Sequence, residues 1–166
     1  MNSWHNPVIG EEELLPFLRE RLAAGQTIRY LPFRGVSMLP MLRQGIDSVE
    51  LSPLPPKLKK YDLPVYQYPS GKVVMHRVVK VTDDYYICLG DNTYQYETIR
   101  PEQMIAVVSA FKRGERRILV THPAYRLYSR FWVACHPLRR FWRMKLKPWL
   151  RPYAKPLLDW IRGRKP

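Results

Sequence analysis

Lys72-Val73-Val74-Met75-His76-Arg77-Val78-Val79-Lys80-Val81 is followed by Thr82-Asp83-Asp84, then by Tyr85-Tyr86-Ile87-Cys88-Leu89, and the stretch closes on Gly90-Asp91-Asn92. The β-branched and aromatic content of the two runs predicts two strands, and the Asp-Asp break between them is too short to hold a helix. Within the first run, Val74, His76 and Val78 share one face by the two-residue strand period, with Met75, Arg77 and Val79 on the other. A single imidazole therefore projects from an otherwise apolar row.

The same pattern extends outward from this stretch. Strand-like runs occur at Thr27 to Phe33, Ser48 to Leu51, Leu63 to Tyr68 and Met104 to Phe111, separated by Pro, Gly or Asp clusters. Short strands with no long helix between them predict a mainly β fold with an antiparallel body. Ahead of them, residues 8–24 read as a helix. Glu11, Glu12 and Glu13 lie near its start, Leu14, Leu15, Leu18 and Leu22 recur at helical spacing, and Pro16 is compatible only in the first turn. The segment Ser52-Pro53-Leu54-Pro55-Pro56 with Lys57, Lys59 and Lys60 reads as a stiff basic loop.

Charge divides the chain. Its 166 residues carry a net charge of +14, yet residues 1–111 hold 12 basic and 12 acidic residues, and residues 112–166 hold 16 basic and 2 acidic. This predicts a neutral body over 1–111 and a basic, partly helical tail over 112–166 that seeks phosphate on lipid or nucleic acid. The two cysteines have neither metal-ligand nor redox spacing, so no metal and no cofactor is expected. No apolar run approaches the ~20 residues of a membrane span. With nothing like a secretory leader at the N-terminus, the cytosol is the expected compartment.

Chemistry concentrates on a few residues. A serine hydroxyl becomes a nucleophile only when it stands exposed on a tight turn beside a group that takes its proton. Ser37 meets the first condition in Gly35-Val36-Ser37-Met38-Leu39-Pro40: Gly35 allows close backbone approach and Pro40 stiffens the far side. His76 is the only one of the four histidines inside a strand run, and an unperturbed imidazole titrates near about 6.5, close to working pH. Ser37 as nucleophile and His76 as base are the candidate pair.

Four segments, Gly35 to Leu42, Gly45-Ile46-Asp47-Ser48-Val49, Met75-His76-Arg77-Val78-Val79 and Gly90-Asp91-Asn92, taken in this order, resemble the superfamily of type I signal peptidases and self-cleaving repressor peptidases. The likeness covers about residues 27–111. His76-Arg77-Val78 is similar to the branch that uses histidine, where other members place a lysine. The resemblance implies a signal-peptidase-like β body and a serine endopeptidase acting on a peptide or protein substrate, with Gly35, Met38 and Pro40 supporting the turn and the Ser37 N–H serving the oxyanion. For the third member there are two candidates. Asp91 belongs to the Gly-Asp-Asn turn itself, and Glu97 stands six residues later, where the histidine branch implicates an acid. The sequence departs from the family in having Gly35 where some members carry a second hydroxyl donor, and in Ile46 between Gly45 and Asp47. Asp47 and Asp62 read as turn formers.

In the tail, Tyr128, Phe131, Trp132, Cys135, Leu138 and Trp142 group on one side of a helix, with Arg126, Arg130 and Arg140 opposite. Pro137, Pro148, Pro152 and Pro156 are expected to break it into pieces. Residues 124–160 thus offer a peripheral contact with an anionic membrane surface, or else pack their aromatics on the body. Nucleic acid is the less favoured partner, because no recognised motif supports it. The alternative functional reading is a catalytically silent peptidase-like binding module, or a membrane or nucleic-acid adaptor working through the tail.

Overall fold

The computed structural model describes residues 11–32 and 35–146. The body is mainly antiparallel β, with an N-terminal helix α1 (Glu11–Ala23) and C-terminal helical segments. The larger sheet contains β1 (Ile28–Pro32), β2 (Ser48–Ser52), β3 (Pro64–Gln67), β4 (Val73–Met75), β8 (Met104–Arg113) and β9 (Arg116–Leu119). The smaller holds β5 (Arg77–Val81), β6 (Tyr86–Leu89) and β7 (Glu97–Ile99). Strand β8 is the spine: it pairs with β2 along one edge, and with β3 and then β9 along the other.

The expected run over 72–81 is two strands, β4 in the larger sheet and β5 in the smaller, and the break falls at His76. The chain passes there between two apolar clusters. Met75 belongs to the cluster that includes Leu18, Leu22, Met38, Met41 and Leu42, whereas Val74 and Val78 pack with Tyr66, Tyr86, Cys88 and Ile99. The alternation of faces survives the break, but neither face meets solvent, and residues 75–78 are all buried. A strand that leaves one sheet to join another buries both its sides, so His76 and Arg77 become interior polar groups.

Two short strands escape the hydrophobic pattern. Strand β7 reads Glu-Thr-Ile and is held by pairing with β6 and by the burial of Ile99. Strand β9 reads Arg-Arg-Ile-Leu and pairs with β8 through the two-residue turn at Gly114 and Glu115, where Gly114 takes φ +58°. Arg117 on β9 reaches Glu50 on β2 across the intervening β8, at 2.6 and 2.7 Å.

The body therefore runs past the expected boundary at residue 111. The compact unit ends at Ser129, because the β8–β9 hairpin and the start of α2 (Pro123–Ala134) belong to it. In α1, Pro16 lies inside the helix instead of in its first turn, and the burial of Leu18 and Leu22 holds that helix in place. The part of the expected helix before Glu11 lies outside the described residues.

The second unit begins at Arg130. In it α2 leads into α3 (His136–Phe141) and a π-helical turn, Trp142–Leu146. The helix is interrupted at Cys135, just ahead of Pro137, which sits in the first turn of α3 where its missing N–H costs nothing, and the Arg139 N–H still reaches the Cys135 carbonyl. Trp149, Tyr153, Trp160 and the prolines after Leu146 lie outside the described residues. Among those described, no helix is long and apolar enough to cross a membrane.

Candidate active site

Ser37 stands on a helical turn anchored from behind. Met38 and Leu42 are fully buried, Leu42 donates its N–H to the Met38 carbonyl, and Val36 on the outer side is exposed. Gly35 enters this turn at φ +96°, a conformation that side chains disfavour, and its N–H donates to Gln44 Oε1. The Leu39–Pro40 bond is cis. Apolar burial of Met38 thus fixes where the Ser37 hydroxyl stands.

The Gly90-Asp91-Asn92 loop grips the same turn. The Asn92 N–H donates to the Ser37 carbonyl at 2.7 Å, and Asn92 Nδ2 donates to the Val36 carbonyl. A Cβ on Gly90 would lie 2.9 Å from the Ser37 carbonyl oxygen and from Thr93, so that position has no room for a side chain. Arg77, the residue after His76, pairs with Leu89, the residue before Gly90. The β5–β6 pair thus has His76 just before one strand and the loop that holds Ser37 just after the other, and no hydrogen bond joins the Ser37 and His76 side chains.

His76 is 5% exposed and is oriented by an acid. Its Nδ1 lies 2.9 Å from Glu97 Oε2, and a carboxylate at that distance calls for a proton on Nδ1. The Tyr66 hydroxyl also donates to Glu97 Oε2 and stands 3.1 Å from Nδ1. The other ring nitrogen, Nε2, has no protein partner among the described residues and is not sealed from solvent. This is the tautomer required of a proton acceptor at Nε2.

Burial pushes the Glu97 carboxyl upward, but hydrogen bonds from His76, Tyr66 and Tyr68 outweigh it and hold the group below the usual carboxylate range. Burial raises Tyr66 and Tyr68, and the neighbouring Glu97 charge adds to it, so both phenols stay protonated donors. Cys88, buried beside Glu97, is pushed up to about 12 and is a packing thiol. Cys88 and Cys135 are both free.

Asp91, the other acid considered for orienting the imidazole, has a different partner. Arg77 is fully buried and binds it with two hydrogen bonds, Nε to Oδ1 at 2.8 Å and Nη2 to Oδ2 at 2.7 Å. Burial opposes the guanidinium charge, but Asp91 and Tyr125 more than restore it. Arg77 Nη1 further donates to Tyr125 Oη and Ser129 Oγ, both at 2.9 Å, and Tyr128 donates to Asp91. This pair braces the loop that grips Ser37. Tyr128, read from the sequence as part of an interfacial stripe, is a loop partner here, and Tyr125 lies in the core.

Asp47 and Asp62 act as turn formers. Asp47 accepts from the Arg43 N–H and side chain and from the Gly114 N–H, and Asp62 accepts from the Lys59 N–H. No group of acidic, histidine and cysteine side chains among the described residues is arranged to hold a metal.

No known protein family, curated protein or solved structure matches the chain. The residues that sequence reasoning missed are Tyr66 and Tyr68, two apart on the β3 run and hence on one face, and the partners of Arg77. Alternation could have paired the tyrosines. Nothing in residues 112–129 announces that Tyr125 and Ser129 serve a buried arginine.

Proposed function

We propose that the protein is a serine endopeptidase of signal-peptidase type, acting through Ser37, His76 and Glu97 on a peptide or leader segment. The observation that carries this reading is the His76 ring, with Nδ1 held by a partly buried carboxylate and Nε2 without a partner among the described residues. A packing histidine has no need of an ionised glutamate on one nitrogen and an open second nitrogen.

In this mechanism the Ser37 hydroxyl attacks the scissile carbonyl while His76 Nε2 takes its proton. Glu97 steadies the imidazolium through Nδ1 and remains ionised. The oxyanion meets the Ser37 N–H, which has no acceptor among the described residues. The C–N bond then breaks, His76 returns the proton to the leaving amine, and water releases the acyl group by the same path reversed. The absence of a direct Ser37–His76 hydrogen bond is compatible with this scheme, because such contacts tighten when substrate arrives. Gly35 supplies no hydroxyl, so the second oxyanion donor is backbone or water. The free cysteines and the lack of a described membrane-spanning helix suit a cytoplasmic, peripheral protein.

The test is covalent labelling with a serine-directed acylating or phosphonylating probe, read by intact mass and by mapping the modified residue. One adduct on Ser37, lost in Ser37→Ala and slowed in His76→Ala with folding intact, is the expected result. A folded wild-type protein that takes no adduct at Ser37 would instead favour a silent binding module.

A further inference from the structure

Beyond Ser129 the chain presents an apolar strip to solvent. Phe131 and Leu138 are 61% and 70% exposed, and Phe141, Trp142 and Met144 are each more than half exposed. Phe131 and Leu138 lie seven residues apart, and Phe141 and Trp142 follow three and four later, so these four side chains share one side of the helical segment. Arg130 and Lys145 lie beside the strip, with Arg140 and Arg143 further around the helix on stems long enough to reach back toward it. Residues 130–146 contain five basic residues and no acid. Trp132 is engaged within the segment, its ring lying under the Arg139 guanidinium at 3.8 Å and its carbonyl accepting from the same group.

We infer that Arg130–Leu146 attaches the protein to an anionic lipid surface, its exposed aromatic and aliphatic side chains entering the headgroup boundary and Arg130, Arg140, Arg143 and Lys145 pairing with lipid phosphates. Charge complementarity selects this occupant. From Arg130 to the last residue the chain holds eleven basic residues and one acidic, so a second copy would bring like charge against like. Nucleic acid would satisfy the cations and stack on the aromatics but would leave Leu138 and Met144 with no apolar partner. An anionic bilayer satisfies both classes of side chain. The attachment does not depend on the peptidase reading.

The experiment is co-sedimentation of the full chain with vesicles of phosphatidylcholine alone or mixed with phosphatidylglycerol, at low and high salt. Expected is binding to the mixed vesicles only, weakened by salt. Arg130→Gln/Arg140→Gln/Arg143→Gln should lower the partition coefficient on the order of a hundredfold, and Phe131→Ser/Leu138→Ser should lower it at unchanged charge. Both variants alter exposed side chains, so circular dichroism should match wild type, and Ser37→Ala should bind vesicles as wild type does. Equal binding to both vesicle types, or duplex DNA or RNA bound at a salt concentration where mixed vesicles are not, overturns the inference. So does self-association that accounts for all sedimentation, or indifference of binding to both variants.

Discussion

Glu97 and Asp91 have the same charge and lie six residues apart, yet their surroundings assign them opposite work. Glu97 is held ionised against the imidazole by donors that include Tyr66, whereas Asp91 neutralises an arginine with no exposure at all. Glu97→Gln should therefore keep the fold and lower turnover on the order of 10⁴-fold, the loss seen when a triad acid becomes an amide. Asp91→Ala leaves the Arg77 charge buried and unpaired and should cost about 3–5 kcal/mol of stability. Chemical denaturation and probe-labelling rates on the two variants separate these effects, and a stable, inactive Asp91→Ala would reverse the assignment. At Gly90 a methyl group meets the Ser37 carbonyl, a backbone atom that cannot swing aside. Gly90→Ala should cost about 1–3 kcal/mol and slow labelling of Ser37 more than Glu97→Gln perturbs the fold. Unchanged labelling would mean that the loop does not position the serine. Glycine and Gly-Asp-Asn were visible in the sequence, but the close approach that demands glycine was not, because it comes from a turn more than fifty residues away.

Among the elements, β9 and β2 are tied by Arg117 and Glu50. The hydrogen bonds from Arg117 hold the Glu50 carboxyl below its usual range, against the opposing effect of burial. A carboxyl depressed on folding contributes stability that is present above its unfolded value and is lost as pH falls through the folded one. Glu97 and Asp47 are depressed in the same sense. The melting temperature should thus fall as pH is lowered through and below the ordinary carboxylate range, and the slope should be shallower in Glu50→Gln. Equal slopes in thermal melts at matched salt would remove Glu50 from the account. The strands with strong β-branched content were readable from sequence, whereas β7 and β9 are strands only because β6 and β8 offer them a free edge.

For the whole molecule, the decisive difference lies in where the body stops. A chain ending at residue 111 loses β9 and the Arg77 partners Tyr125 and Ser129, and it should fail to give a cooperative melt. A chain ending at Ala134 retains all of these and should still label at Ser37. Folding of the shorter chain with full labelling would show that α2 is dispensable. Charge composition marked where the basic excess begins, but it could not separate residues that belong to the β body from those that follow it, since an arginine in a hairpin and an arginine on a helix count alike.

The sequence by itself determined the antiparallel β class and the turn at Ser37, because strand periodicity and glycine and proline placement are local properties. Only the tertiary structure decided that the 72–81 run divides between two sheets at His76, that Glu97 rather than Asp91 holds the imidazole, and that Arg77 recruits the start of α2. These depend on which side chains are enclosed together away from water. A carboxylate's partner there is set by burial and distance, which spacing along the chain does not encode.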